Sequence, residues 1–354
     1  MIDNSGLKFS NLDGYKQSKF KEIKSFSFAE SLSGNNHDFA NSNSSSDSNL
    51  TSASAAVINA PTAQIDVNYY GFTEEAENAF EYAVTIWEGW IDSDVTIEVD
   101  AYWEDLSIYG SGVLGAASPY SFKRNFDGAT EDNTYYAISL ANHLAGEDLN
   151  GGRAEIETWF NSEFSNWYFG TDGNTPKGKY DFTTVVLHEL GHGFGLTDFI
   201  DYNSGKGSYG NTIFESFIVN SDNQSLSSFP NNSTDLGKQL TSNDLFFNGA
   251  NAIEANNGEK VKLYAPGKWE YGSSVAHLDE KTYPKGDTGS LMTPYLQGGE
   301  VIHNPGALTL GILEDLGWDI NNVDESTPTQ PAETLSEPVE EPAPTQPEET
   351  PSTT

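Results

Sequence analysis

One short run of residues constrains the fold of this chain more than any other: His188-Glu189-Leu190-Gly191-His192. It follows the apolar stretch Val185-Val186-Leu187, and Asp181 precedes that stretch as a residue type favoured at helix N-caps. The pattern predicts a helix that begins after Asp181 and carries both histidines on one face. Two imidazoles four residues apart can then bind one ion at about 2.0–2.1 Å. The sequence therefore predicts a metal centre on this helix, with Glu189 beside the remaining coordination position.

The amino-acid composition limits the ligands that such a centre can have. The chain has 354 residues, 6 histidines and no cysteine, so disulfides, thiol nucleophiles and thiolate metal sites are excluded. Any metal must be bound by histidines and carboxylates. A catalytic zinc has three protein ligands and one water, and a neighbouring carboxylate can accept the proton of that water and pass it to a leaving amine. We therefore expect zinc, with Glu189 as the catalytic base.

The residues around this run resemble a known family. Gly195 follows His192 by three residues, at a position where glycine lets the chain leave a helix in a left-handed turn. Together with the later Ser290-Leu291-Met292-Thr293-Pro294, this pattern resembles the metzincin zinc endopeptidases, whose Met turn underlies the metal. The resemblance covers about residues 60–318. It implies an α+β protease domain with a twisted mixed sheet, an active-site helix and a Met turn in which Met292 supports the site by packing.

For the third metal ligand the sequence offers three candidates. His277 lies shortly before the Met turn, an order similar to the leishmanolysin-like branch of the metzincins, in which a long insertion precedes the third histidine. We favour His277, with an insertion at about 199–272. Asp279 or Glu280 could accept a hydrogen bond from it, although solvated loop carboxylates are the better interpretation of both residues. Asp198 would instead close a local site like that of the snapalysin-type proteases. His303 is the remaining alternative.

Other residues suggest weaker functional hypotheses. The resemblance to metzincins, some of which have a Tyr after the Met turn, implies that Tyr295 could donate its phenol to the oxyanion of a tetrahedral intermediate, but the spacing departs from those branches and a packed aromatic side chain is the favoured interpretation. The segment Gly110-Ser111-Gly112-Val113-Leu114-Gly115-Ala116 could form the edge strand that binds a peptide, or a glycine-rich loop without such a role. Asp172-Gly173-Asn174 could supply oxygen ligands to calcium, but it is also an ordinary turn signal. His37 and His143 have no partners at ligand spacing, which favours structural or surface positions.

Alternation and helical periodicity predict the remaining elements of the fold. Ile65, Val67 and Tyr69 indicate a half-buried strand, and Thr73 is the expected N-cap of the helix that follows it. From Thr197 to Gly272 the signals are mostly those of turns. The other predicted elements are strands at Val95–Val99 and Gly112–Ala117 and a final helix at Leu308–Leu316 that ends at Gly317.

Composition also divides the chain into three parts. Residues 1–60 contain the polar run Asn41-Ser42-Asn43-Ser44-Ser45-Ser46-Asp47-Ser48 and are expected to be a disordered leader or a pro-segment with a linker. Residues 61–318 form the expected catalytic domain. Residues 319–354 contain no Lys or Arg and are rich in Pro, Thr and Glu, which predicts a disordered acidic tail.

The charge of the chain bears on its partners. A formal net charge of -36 disfavours nucleic acid and anionic membrane surfaces, and no apolar run reaches the length of a membrane span. We expect a monomeric, secreted protease that acts on proteins or peptides, although no standard secretory signal is present. The alternatives are a non-catalytic surface or adhesion module and a calcium-dependent structural module with the same fold. An intact Glu189 argues against a module that only binds.

Overall fold

The computed structural model describes residues 60–110, 112–287 and 289–321, together with the backbone of one strand at Ser27–Ser31. Helices and strands are mixed along these residues, as expected for a protein of α+β type. The helices are α1 (Glu74–Trp90), α2 (Ile138–Ala145), α3 (Phe182–Gly193), α4 (Ile213–Ser216), α5 (Thr234–Leu240), α6 (Ala250–Ala255) and α7 (Gly306–Leu316). The strands are β1 (Ser27–Ser31), β2 (Ile65–Tyr70), β3 (Ile91–Asp92), β4 (Ile97–Glu104), β5 (Val113–Pro119), β6 (Phe122–Lys123), β7 (Tyr136–Ala137), β8 (Ile156–Asn161), β9 (Trp167–Tyr168), β10 (Tyr180–Asp181), β11 (Asp201–Asn203), β12 (Lys206–Ser208), β13 (Ile218–Val219), β14 (Phe246–Phe247), β15 (Val261–Lys262), β16 (Tyr295–Leu296) and β17 (Asp319–Ile320).

The largest sheet has six strands in the spatial order β16-β1-β5-β8-β4-β2. Strands β2, β4 and β8 run parallel to one another, and β5 pairs antiparallel with β8. Strand β1 adds antiparallel to β5 and parallel to β16. The sheet is therefore mixed, and the other sheets have only two or three strands.

Helix α1 forms where the sequence predicts it and packs beside α3. The Thr73 side chain caps it by accepting a hydrogen bond from Ala76 N, and three glutamates in its first turn favour the positive end of the helix dipole. Its apolar face is buried, and the Trp87 indole donates to the carbonyl oxygen of Leu187 at 3.2 Å. This bond ties α1 to the turn of α3 that carries His188.

Aromatic side chains fill the space between the main sheet and these helices. The rings of Phe80 and Phe160 meet edge to face at 5.7 Å, and those of Phe160 and Phe182 at 5.0 Å. All three side chains are fully buried. Edge-to-face pairs of this kind contribute about 0.5–1.5 kcal/mol beyond their burial, so they hold the first residue of α3 firmly against the sheet.

The boundaries of the central part differ from the sequence expectation at both ends. Residues 27–31 of the expected leader form β1 within the main sheet, while the rest of the leader lies outside the described residues. At the other end, β17 pairs with β3, and Asn321 N donates to Trp90 O at 2.8 Å. The folded part therefore extends beyond residue 318, to at least 321, and the remainder of the expected tail lies outside the described residues.

The segment from Thr197 to Gly272 contains more regular structure than its turn signals indicate. It holds α4, α5 and α6 and the strand pairs β11–β12 and β13–β14–β15. Each helix has only four to seven residues, and two begin with side-chain caps, at Thr212 and Ser233. Tertiary packing rather than intrinsic propensity stabilises helices this short. Of the helices in the described residues, none is long and apolar enough to cross a membrane.

Candidate metal centre

Helix α3 is anchored at its first turn by a buried polar network. The Asp181 carboxylate caps the helix, accepting hydrogen bonds from the backbone N–H and the hydroxyl of Thr184, both at 2.8 Å. The His303 imidazole lies 2.8 Å from the same oxygen of Asp181. This contact places His303 at the N-terminus of α3, so His303 as the third metal ligand is wrong.

Two histidines project from the C-terminal half of α3 into one buried space. His188 and His192 are four residues apart, and their Nε2 atoms lie 3.0 Å from each other. The Nδ1 atom of His188 is 2.6 Å from the carbonyl oxygen of Leu291, and that of His192 is 2.7 Å from the carbonyl oxygen of Leu196. A carbonyl oxygen only accepts hydrogen bonds, so each Nδ1 carries the hydrogen. Both Nε2 atoms are therefore left with a lone pair facing the shared space.

His277 completes the group from a distant part of the chain. Its Nε2 lies 3.3 Å from that of His192, 85 residues earlier, and 3.2 Å from that of His188. Its Nδ1 is 3.0 Å from the carbonyl oxygen of Ser273, which fixes the same tautomer. Leu278 N donates to the carbonyl oxygen of Met292 at 2.8 Å, so this segment is joined to the Met-containing turn.

The three Nε2 atoms have the spacing that a tetrahedral metal requires. Ligands at 2.0–2.1 Å from a tetrahedral zinc lie about 3.3 Å from one another. The observed Nε2 separations are 3.0, 3.2 and 3.3 Å. Among the described residues, this is the group of three or more potential ligands that could hold a metal ion. The three-histidine group is therefore a candidate metal centre.

Burial keeps these imidazoles neutral. It lowers the pKa of His188 to about 4. It also lowers the pKa of His192 and of His277 well below the usual range, and the neighbouring histidines add to the effect. Neutral imidazole is the form that binds metals. Three lone pairs that converge in a buried space repel one another until a cation lies between them, so the donor set fits a metal ion.

Glu189 lies between the two helical histidines and packs against strand β5. Its side chain is fully buried. A Cβ placed on Gly115 would lie 2.9 Å from Glu189 Oε1 and 3.2 Å from its Cγ. Only glycine leaves room here for the carboxylate, so the glycine-rich strand and the predicted base are neighbours. The sequence indicated both features but gave no sign of their contact.

Gly195 and Met292 lie where the sequence analysis expects them. Gly195 has a φ of 119° and its N–H bonds to the carbonyl oxygen of His192, so glycine ends α3 in a conformation that other residues rarely adopt. Met292 is fully buried in the turn Ser290–Met292. A Cβ on Gly191 would come within 2.9 Å of its sulfur. The methionine thus packs against the helix turn between the two histidines.

Asp198 does not join the histidines. Its Oδ1 accepts a hydrogen bond from Ile200 N at 2.8 Å, which is a local turn contact. Burial raises the pKa of Asp198 well above its usual range, and the carboxylate of Glu215 adds to the rise. The ligand group contains His277 and not Asp198, so the alternative assignment is wrong.

Two expectations about neighbouring side chains also differ from the structure. The acceptor for His277 is the carbonyl oxygen of Ser273, whereas Asp279 accepts from the hydroxyl of Thr282 at 2.7 Å. The less favoured alternative, in which Asp279 or Glu280 is this acceptor, is therefore not what the structure shows. Backbone carbonyls anchor all three histidines, and because every residue carries one, no sequence signal could have identified them.

The structure shows the surroundings of other residues singled out in the sequence, but these contacts do not test their functions. The Tyr295 hydroxyl donates to Glu270 Oε2 at 2.7 Å. Asp172 forms an exposed turn and accepts from Asn174 N at 3.1 Å. The His143 ring stacks on Trp318 with centroids 4.8 Å apart, consistent with a structural position. His37 lies outside the described residues.

Comparisons of the chain with protein-family models, with curated protein sequences and with solved structures found no match.

Proposed function

We propose that this chain is a zinc-dependent endopeptidase of metzincin type that hydrolyses peptide bonds. The observation that carries the proposal is the convergence of three neutral, carbonyl-anchored imidazoles with Glu189 on the same helix. Three histidines leave one position open on a tetrahedral zinc, which is typical of catalytic rather than structural sites. The imidazole donor set suits zinc.

The residues of this chain would divide the chemistry as follows. His188, His192 and His277 would bind the zinc, which supplies the Lewis acidity that activates water and polarises a peptide carbonyl. Glu189 would take a proton from the attacking water and return it to the leaving amine. The Leu291, Leu196 and Ser273 carbonyls hold the three rings in one tautomer and orientation.

The expected edge strand β5 is paired on both sides in this structure, with β1 and β8, so the substrate would bind as an extended strand beside β5 in the place that β1 occupies. Gly115 brings this strand against the Glu189 carboxylate, so a peptide paired with β5 would pass next to the catalytic base. Main-chain pairing depends little on side chains, which suits an enzyme that acts on unfolded protein. A strongly acidic surface and polar terminal sequences are also compatible with our expectation of a secreted monomer.

The test is a comparison of two glutamate variants. We expect the parent protein to contain one zinc per chain and to cleave casein-like unfolded substrates in a chelator-sensitive manner. Glu189→Gln should retain zinc and lose about 10²–10⁴-fold in kcat, because it removes the base and no ligand. Glu147→Gln, at an exposed position, is the matched control and should keep the parent rate.

Three results would count against this function. If Glu189→Gln cleaves substrate at the rate of the parent, Glu189 is not the catalytic base. Zinc binding without any peptidase activity would favour the non-catalytic module, and folding that requires calcium rather than zinc would favour the calcium-dependent one.

A further inference from the structure

Strand β2 is an outer edge of the main sheet. It pairs with β4 on one side, and no other strand of the described residues pairs with it. Ile65 N donates to the Glu88 carboxylate at 2.9 Å, on the side away from β4. Main-chain groups of successive residues point to opposite sides of a strand, so those of Val67 and Tyr69 also point away from β4. Within the described residues, nothing bonds to these outward N–H and C=O groups.

The side chains of β2 alternate between two surroundings. Val67 and Tyr69 are partly buried and pack against the core. Asp66, Asn68 and Tyr70 are exposed on the other face of the sheet. A strand added to this edge would therefore place every second side chain beside apolar groups and the others beside polar ones.

The exposed face at this edge is negatively charged. Asp66 lies opposite Glu98 in the register of the two strands, and Asn68 lies opposite Asp100. The ion pairs between described residues include none of these three carboxylates. Residues 60–122 contain twelve Asp or Glu and no Lys or Arg, so this stretch has no cation to neutralise them. A segment that carries Lys or Arg would complement this charge.

Tyr70 adds an open aromatic ring to the same face. Its ring stacks on that of Tyr102 in β4, with centroids 4.8 Å apart and planes inclined by 15°. Tyr70 is 46% exposed, and Tyr102 is its aromatic neighbour among the described residues. A guanidinium on an added strand, about 4.8 Å from β2, would lie over the other face of this ring.

We propose that β2 is a docking edge for an extended segment of a partner protein in which Lys or Arg alternates with apolar residues. The main chain of this segment bonds to Val67 and Tyr69, and its basic side chains face Asp66 and Tyr70. The docking edge shares no residue with the metal centre, so the inference does not rest on the proposed hydrolysis. A second copy of this chain is disfavoured here, because each copy has a net charge of -36.

The experiment measures binding of a synthetic peptide that contains Lys-Val-Arg-Val-Lys-Val to the full chain. All proteins carry Glu189→Gln, so that peptidase activity cannot remove the peptide. One control peptide has the same residues in the order Lys-Lys-Arg-Val-Val-Val, and another has Glu in place of each base. We expect the alternating peptide to bind saturably and at least about tenfold more tightly than either control. Its affinity should fall as NaCl rises from about 0.05 M to about 0.5 M, because salt screens exposed charges.

Amide exchange resolved to single residues locates the bound peptide. The outward N–H groups of Val67 and Tyr69 should exchange at least about tenfold more slowly at saturation, whereas the Asn68 N–H, which faces β4, should change little. Val67→Pro removes one outward N–H without breaking a bond to β4, so it should weaken binding at least about fivefold. Val67→Ala keeps this N–H and is the matched control.

A double charge variant tests the same edge without changing its backbone. Exposed ion pairs contribute factors of about 1.4–5 each, so Asp66→Asn combined with Asp100→Asn should weaken binding about 2–25-fold. Asp222→Asn combined with Glu259→Gln removes the same charge at exposed positions elsewhere and should leave the affinity of the parent. The melting temperature of each variant shows that it is folded, and the charge pair retains the test if Val67→Pro does not fold.

Several results would overturn the docking edge. Equal binding of the alternating and reordered peptides would exclude strand addition, and equal effects of the two charge pairs would exclude this face. Slower exchange in β5 rather than in β2 would place the peptide at the proposed substrate strand instead. Concentration-dependent dimers that protect Val67 and Tyr69 without any peptide would identify a second copy as the occupant.

Discussion

Replacement of His277 is the most direct test of the metal centre, because the sequence alone left three candidates for this ligand. His277→Ala removes one of the three Nε2 atoms and leaves the two ligands on α3 in place. Loss of a residue that only orients a ligand typically costs about 10–100-fold in metal affinity. Loss of the ligand itself should cost more, so we expect zinc affinity to fall at least about 100-fold.

The loss of zinc affinity corresponds to a calculable loss of folding free energy. With free zinc at 100 times the Kd of the parent, binding stabilises the folded state by about 2.7 kcal/mol. After a 100-fold loss of affinity, the same zinc concentration equals the Kd and contributes about 0.4 kcal/mol. The zinc-dependent stabilisation therefore falls by about 2.3 kcal/mol, which corresponds to about 5–9 °C in Tm for a domain of this size.

The assay must separate metal loss from the cavity that the substitution creates. His277 is fully buried, so His277→Ala also lowers the stability of the metal-free protein. Measuring Tm with and without buffered zinc for each protein isolates the zinc-dependent increment, and competition with a chelating dye gives the affinity. Asp198→Asn and His143→Ala are the controls and should keep the zinc increment of the parent. An affinity of His277→Ala within threefold of the parent would refute the assignment.

Three further predictions follow from contacts elsewhere. Gly115→Ala should lower kcat at least about tenfold with zinc affinity nearly unchanged, because its Cβ would displace the Glu189 carboxylate; steady-state kinetics and zinc titration check this. Burial raises the pKa of Glu280 to about 7, so the folded protein binds the proton of this carboxyl more tightly than the unfolded chain does. The resulting stabilisation is present below about pH 4.5 and is lost as the pH rises through 7. In urea titrations, the free energy of unfolding of Glu280→Gln should therefore equal that of the parent at pH 4.5. At pH 8 it should be about 1–2 kcal/mol larger than that of the parent, after allowance for partial exposure. Deleting residues 322–354 should leave Tm unchanged in calorimetry, whereas deletion from Asp319 should lower it by removing the β17–β3 pairing.

The first half of the site could be predicted from sequence because its determinants are local. Asp181 caps α3 as expected, and the spacing of four residues places His188 and His192 on one face whatever the rest of the chain does. Gly195 is equally local, since its positive φ ends the helix. Each of these predictions depends on contacts within one or two helical turns.

The third ligand depends on a long-range contact, which spacing alone could not decide. His277 reaches the metal space because its segment pairs with the Met-containing turn through Leu278 and Met292. Asp198 lies much nearer in sequence, yet its own short-range turn with Ile200 holds its carboxylate in place. Resemblance to a family, rather than periodicity, favoured the residue that joins the three-histidine group.

Between Thr197 and Gly272 the sequence indicates mostly turns, and the helices found there escape prediction because they are short. Four to seven residues do not show a clear helical period, and helices of that length depend on tertiary packing. One local signal was nevertheless present: Thr212 and Glu215 form a reciprocal capping box at the start of α4. Cap patterns would therefore have revealed helices that apolar periodicity did not.

Strand β1 was not predicted, and the reason lies in its short sequence. Ser27-Phe28-Ala29-Glu30-Ser31 has little β propensity, and five residues gain too little from pairing to form a strand alone. Its strand structure is therefore a property of the slot between β5 and β16 rather than of its own sequence.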